Sequence, residues 1–189
     1  YTPSGGKICI DGKDYRTLTP TLSKELGINI VYQENDLVPS MNVVENIYVG
    51  NEVADRFGLV NFKAMLEETR RQMEDLKIHI DPLTKIVKIL KALSIEPRVL
   101  IMDEPTSMFN VEDAAKVLQL AQTIAAKGIG IIYISHYLEE IRQIADRITV
   151  IRDGAVVNTY ENTNRDIELS VITRDMVGRP VDTFYQKER

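Results

Sequence analysis

With 189 residues, 44% hydrophobic and 27% charged, the chain has the size and composition of one folded domain, and its 10 glycines and 7 prolines exclude fibrous or disordered classes. Its net charge of −5, with Arg70 and Arg71 soon followed by Glu74 and Asp75, argues against nucleic acid as a partner. A lone cysteine, Cys9, excludes an intramolecular disulfide, and the longest apolar runs fall far short of the roughly 20 residues of a membrane-spanning helix.

The chain opens on Tyr1 and YTPSGG, with no signal-peptide pattern, so it is expected to start inside a larger gene product. Residues 7–10 alternate weakly into Asp11-Gly12, which predicts the tail of a β-hairpin, with Cys9 a small buried residue of its strand. A strand over 28–32 enters from Gly27 and ends in the polar run Gln33, Glu34, Asn35 and Asp36. From Ser40 the spacing turns helical. Val43, Val44, Ile47 and Tyr48 share a face, with Ser40 or Asn42 as cap. A charged amphipathic helix over 63–76 sets Met65, Leu66, Met73 and Leu76 on its apolar side, where methionine serves as packing. His79 reads as structural, ahead of the Asp81-Pro82 break, and a helix over 86–93 follows with Ile86, Ile89, Leu90 and Leu93 at helical spacing.

Beyond Pro97 the rhythm becomes strand 99–102, helix 111–126 and strand 129–134, with Gly128 ending the helix. Neither apolar run has polar alternation, as expected for parallel strands covered on both faces. A helix over 138–145, a strand over 148–151, the Asp153-Gly154 turn and an edge strand over 155–160 complete an α/β pattern.

The stretch VLIMDEPTS at 99–107 carries the most specific chemistry. Four apolar residues bury a strand, and two adjacent carboxylates emerge at its C-terminal end, where open α/β sheets place ligands. Asp103 there suits Mg²⁺, directly or through water. Glu104, facing the other way by strand alternation, suits polarising an attacking water. The run IIYISH at 131–136 delivers His136 to the same sheet edge, where an imidazole can donate to a γ-phosphate. Gln33 offers an amide oxygen to a metal ion or a water at a third strand end.

Together these strand ends resemble the ATP-binding cassette (ABC) ATPases. Gln33 is similar to the Q-loop glutamine, 99–104 to the Walker B strand with its glutamate, Ser107 to the start of the D-loop, and His136 to the switch histidine. YQENDLVP at 32–39, VENI at 44–47, LEEI at 138–141, ADRI at 145–148 and RDG at 152–154 resemble the sugar-importer subgroup, with ribose, galactose and xylose importers nearest. MVGR at 176–179 resembles the end of the first of that subgroup's two tandem domains.

The resemblance implies a P-loop NTPase (RecA-like) fold, mostly parallel sheet flanked by helices with an inserted helical subdomain. The core would span 1–33 and 95–189, and the helical subdomain 34–94. It implies ATP and Mg²⁺ as ligands. Gln33 and Asp103 would stand on the metal side and Glu104 would be general base, with His136 against the γ-phosphate. The implied partners are transmembrane permease subunits, met through the helical subdomain, a second nucleotide-binding domain on the same polypeptide and, indirectly, a sugar-binding protein. The implied place is peripheral, on the cytoplasmic face of the inner membrane.

Two expected pieces are missing. No Gly-x-x-x-x-Gly-Lys-Ser/Thr loop occurs, and YTPSGG resembles the family's segment just beyond that loop and its helix. No Leu-Ser-Gly-Gly-Gln signature precedes the helix at 87–93, as if about ten residues were deleted or lost there. Met108, Phe109 and Asn110 also depart from the D-loop pattern of small and apolar residues followed by a polar one. Taken alone, the chain is expected to be inactive. An inert interaction module and a non-transport ABC ATPase stand as alternatives to an ATP-hydrolysing import subunit.

Overall fold

The computed structural model describes residues 5–32, 37–38, 40–76, 84–94, 96–107 and 109–178, with 84–86 by backbone alone. Gln33, His79, Asp81, Pro82 and Met108 lie outside the described residues, and so do the expectations placed on them.

Strands β1 (Ile8–Ile10) and β2 (Lys13–Tyr15) form an antiparallel hairpin. Its turn holds Asp11 at φ 51° and Gly12 at φ 75°, the two left-handed residues that match the twist of a tight hairpin. Cys9 is exposed, against the expectation of burial, because among the described residues this ribbon pairs with no other strand and Cys9 is on its open side. Helix α1 (Pro20–Glu25), absent from the sequence reading, begins at a Thr19 cap that accepts from the Leu22 N–H, with Pro20 in the first turn where no N–H is missed.

Strands β3 (Ile28–Val31), β4 (Val99–Asp103) and β5 (Gly130–Ile134) run parallel in that order, with Val31, Met102 and Tyr133 in one row. The crossover from β3 to β4 carries three helices, α2 (Val43–Tyr48), α3 (Phe62–Asp75) and α4 (Thr84–Leu93); α5 (Val111–Ala126) connects β4 to β5. Asn42 starts α2 with a capping box, its amide oxygen accepting from the Glu45 N–H while Glu45 reaches back. Buried Asn46 then ties the incoming chain to α2, accepting from the Val38 N–H and donating to the carbonyls of Val38, Met41 and Asn42.

The apolar spacing of these helices meets one face of the sheet. Ile47, Met65, Ile89, Leu90, Leu100, Met102, Val117 and Ile124 join a single core, each worth about 1.5–3 kcal/mol of burial. The other face differs from the expectation. Ile132 and Ile134 are 51% and 47% exposed, since among the described residues β5 has a strand neighbour on one side only and no element covers these two side chains.

Helix α6 (Leu138–Ile144) leads to the antiparallel pair β6 (Arg147–Arg152) and β7 (Ala155–Glu161), turned by Asp153 and Gly154 at φ 52° and 77°. Helix α7 (Leu169–Val177), also unanticipated, packs Ile172 against Ile148 and Val150 in a second, smaller core. Between the edges of β5 and β6, neither of which has a further strand partner among the described residues, lies an open cleft of about 1060 Å³. No described helix is long and apolar enough to cross a membrane.

Candidate active site

β4 and β5 end side by side, with Asp103 opposite Ile134, so the residues after both strands meet at one edge of the sheet. Asp103 is the last strand residue and is half-buried. At Glu104 the backbone turns left-handed, φ 44°, so strand alternation no longer sets its direction. Such a conformation costs a non-glycine residue on the order of 1–3 kcal/mol and persists only where the surroundings impose it. Here the Glu104 N–H donates to the Ile134 carbonyl at 2.9 Å, with Pro105 and Thr106 buried just beyond.

The Glu104 side chain reaches across to the chain just beyond β5. Its Oε1 lies 3.0 Å from His136 Nδ1, and the imidazole leans on the Tyr137 ring at 4.2 Å between centroids. Both partners keep part of their surface in solvent, 30% for Glu104 and 54% for His136, so a ligand can approach either group. A carboxylate beside an imidazole can accept a proton from water and hold the ring in one orientation.

Three further residues, Thr106, Tyr133 and Glu140, lie close to this pair along the chain. Glu140 Oε2 accepts from Thr106 Oγ1 at 2.7 Å and from Tyr133 Oη at 2.8 Å, and the two hydroxyls are 3.4 Å apart. Burial, opposed by the Thr106 hydrogen bond and reinforced by the Glu140 carboxylate, pushes the Tyr133 phenol well above its ordinary value. All three fall inside the stretches VLIMDEPTS, IIYISH and LEEI, yet the resemblance assigns a role to none of them. The departures after Thr106 find local roles as well: Phe109 packs on the main core, and Asn110 caps α5 by accepting from the Asp113 N–H.

Of the expected site residues, Glu104 and His136 are brought into contact and Asp103 lies beside them, while Gln33 is outside the described residues. Among the described residues no three His, Cys, Asp or Glu side chains converge as a metal cage. Two adjacent carboxylates at an open strand end instead fit a hard cation that keeps waters and shares phosphate oxygens, as Mg²⁺ does.

Comparison with known proteins agrees with this geometry. The chain is 35% identical over 199 aligned positions to the ribose import ATP-binding protein RbsA 1 of Rubrobacter xylanophilus, covering all of this chain and 39% of that protein. Since 199 positions span only 189 residues here, that relative carries at least ten residues this chain lacks. Identity is 38% to a putative ribose/galactose/methyl galactoside import ATP-binding protein of Burkholderia cenocepacia, over 97% of this chain and 38% of that protein. The chain thus spans under two-fifths of the length of these curated relatives. The fold is that of solved ATP-binding cassettes: TM-score 0.74 at 20% identity to the ADP conformation of MJ1267, over 98% of this chain and 78% of that one. It is 0.73 at 19% identity to a nucleotide-free cassette from an ABC transporter, over 100% and 79%. The sheet is therefore that of a P-loop NTPase. The ABC transporter family model matches residues 1–107, the stretch that runs from the first hairpin through Asp103 and Glu104, and the chain belongs to the ABC transporter family.

Proposed function

We propose that the gene product carrying this chain hydrolyses ATP to power sugar import, with this chain as most of one nucleotide-binding domain. The observation that carries the reading is the Glu104–His136 contact at the C-terminal edge of parallel strands. Glu104 takes the proton of an attacking water as general base, and His136, oriented by Glu104, donates to the γ-phosphate. Asp103 and Gln33 would hold Mg²⁺, which would supply positive charge to the nucleotide's phosphates.

No Gly-x-x-x-x-Gly-Lys-Ser/Thr loop is present in the 189 residues. In this reading a further segment of the gene product supplies it. The open cleft beside β5 supports that, since the edges of β5 and β6, without a further strand partner among the described residues, can accept another strand. Residues 1–33 and 95–189 form the ATPase core and 34–94 the helical subdomain. The latter docks on transmembrane permease subunits, supported by the exposed Phe57, Leu59 and Val60 on the loop before α3. A second nucleotide-binding domain on the same polypeptide faces the site, and a sugar-binding protein feeds the permease. The assembly lies peripherally on the cytoplasmic face of the inner membrane.

Glu104→Gln in the complete gene product is expected to leave ATP binding intact and to lower turnover by roughly 10²- to 10⁴-fold. Turnover within a few-fold of the unaltered protein removes Glu104 from the base role. The missing loop favours a second reading, a chain that keeps only the fold and a docking surface. Mg-ATP titrated into these 189 residues is expected to show no tight binding; micromolar affinity here would mean that phosphate is held by other means.

A further inference from the structure

We propose that Glu140 is a positioning residue which, by gathering the hydroxyls of Thr106 and Tyr133 onto one carboxylate oxygen, holds Glu104 against His136. The consequence for turnover rests on the ATPase reading above; the clamp itself does not.

The three side chains come from three separate parts of the fold: the turn after β4, strand β5 and the first turn of α6. Thr106 lies two residues after Glu104, Tyr133 three residues before His136, and Glu140 four residues after it. One oxygen, Glu140 Oε2, thus fastens the chain beyond Glu104 to the chain on both sides of His136. Thr106 is 3% exposed, and its hydroxyl lies 2.7 Å from Glu140 Oε2 and 3.4 Å from Tyr133 Oη, so the three groups form one connected set.

This clamp answers what the Glu104 backbone requires. A left-handed glutamate relaxes unless its flanks are fixed, and relaxation would break the bond from the Glu104 N–H to the Ile134 carbonyl. One flank is the regular strand β4; the other is Pro105 and Thr106, and Thr106 is the residue Glu140 holds. The Ile134 end is fixed by Tyr133, its neighbour in β5, through the same carboxylate. Loss of either hydroxyl therefore frees one side of the Glu104–His136 pair without touching Glu104, His136 or Asp103. A group that only satisfied buried hydroxyls would alter stability. A clamp alters the geometry of the pair.

The test uses Thr106→Val, which keeps shape and removes the hydroxyl, Thr106→Ser, which restores it, and Glu140→Gln and Glu140→Ala. In the 189-residue chain, amide hydrogen exchange at Glu104 followed by NMR is expected to quicken roughly 10-fold or more in Thr106→Val and Glu140→Ala. The β6–β7 hairpin amides should stay unchanged, and Thr106→Ser should return Glu104 to its original rate. In the complete gene product the same two variants are expected to lower kcat roughly 10- to 100-fold with KM for ATP within about twofold, the split that marks misplaced chemistry rather than lost binding. If Glu140→Ala does not fold, Glu140→Gln, which keeps an acceptor but loses the charge, takes its place with a smaller effect of the same sign. Unchanged Glu104 exchange overturns the clamp, and a raised KM at constant kcat overturns its catalytic consequence. Absence of ATP turnover in the unaltered gene product overturns the functional reading instead, and the exchange arm then decides the clamp alone.

Discussion

On one face of the three-stranded sheet, Leu100 and Met102 are fully buried in the main core, while on the other Ile132 and Ile134 keep about half their surface in solvent. The two faces are drawn from the same apolar runs, 99–102 and 131–134. The difference lies in what the chain brings to each side. Helices α4 and α5 pack on the sheet, with α2 and α3 joined to the same core, while the second face borders the cleft between β5 and β6. An apolar run therefore marks a strand made for burial, and says nothing of whether the covering element belongs to the same stretch of chain.

The comparison has a direct test. Leu100→Ala is expected to cost about 2–5 kcal/mol in equilibrium urea unfolding, because it opens a cavity inside the closed face. Ile132→Ala, on the open face, should cost well under about 1 kcal/mol. Equal losses would show that the open face is packed in solution and that the contrast is wrong.

The second core sharpens the contrast, since it is small and depends more on polar ties. Asn162 is 1% exposed and donates to the carbonyls of Arg142 and Ala145, joining the end of α6 to the chain after β7. Asn162→Ala leaves those carbonyls without their donor and should cost about 1–3 kcal/mol. Amide exchange would show whether the loss is confined to α6, β6, β7 and α7, which is expected if this cluster opens as its own unit.

The smallest effect belongs to the first hairpin. The hydrogen bonds from Arg98, aided by its charge, hold the Asp11 carboxyl below the usual carboxylate range. A folded-state pKa lowered in this way stabilises the protein above the unfolded carboxylate pKa, and that contribution fades as pH falls through the folded value. Asp11→Asn should thus slightly flatten the acid limb of a stability-against-pH curve and leave the neutral and alkaline limbs parallel. Because Asp11 and Arg98 are both well exposed, salt should erase most of the difference.

Much of the fold was legible in short-range spacing. The helix over 111–126 and the Asp11-Gly12 and Asp153-Gly154 turns follow from local apolar period and turn chemistry, and all are present. Helix α1 was missed because Thr19 and Pro20 start it without an apolar face, and none of its residues is buried. Of the candidate site, the strand ends carrying Asp103, Glu104 and His136 could be read directly. Each follows an apolar run that had to be a strand, and parallel strands deliver their C-terminal ends to one edge.

By itself, then, the sequence determined the elements other than α1 and α7, their α/β order and the polar groups at the strand ends, because each depends on neighbours within a few residues. Only the tertiary structure decided that Glu104 leaves its strand left-handed, that it meets His136, and that Glu140 binds hydroxyls from two other elements. It also decided that Cys9, Ile132 and Ile134 lie open where burial was expected. The reason is common to all of these. They depend on contacts between residues 7 to 34 positions apart, or on which element covers a face, and no period of 2 or 3.6 residues encodes either.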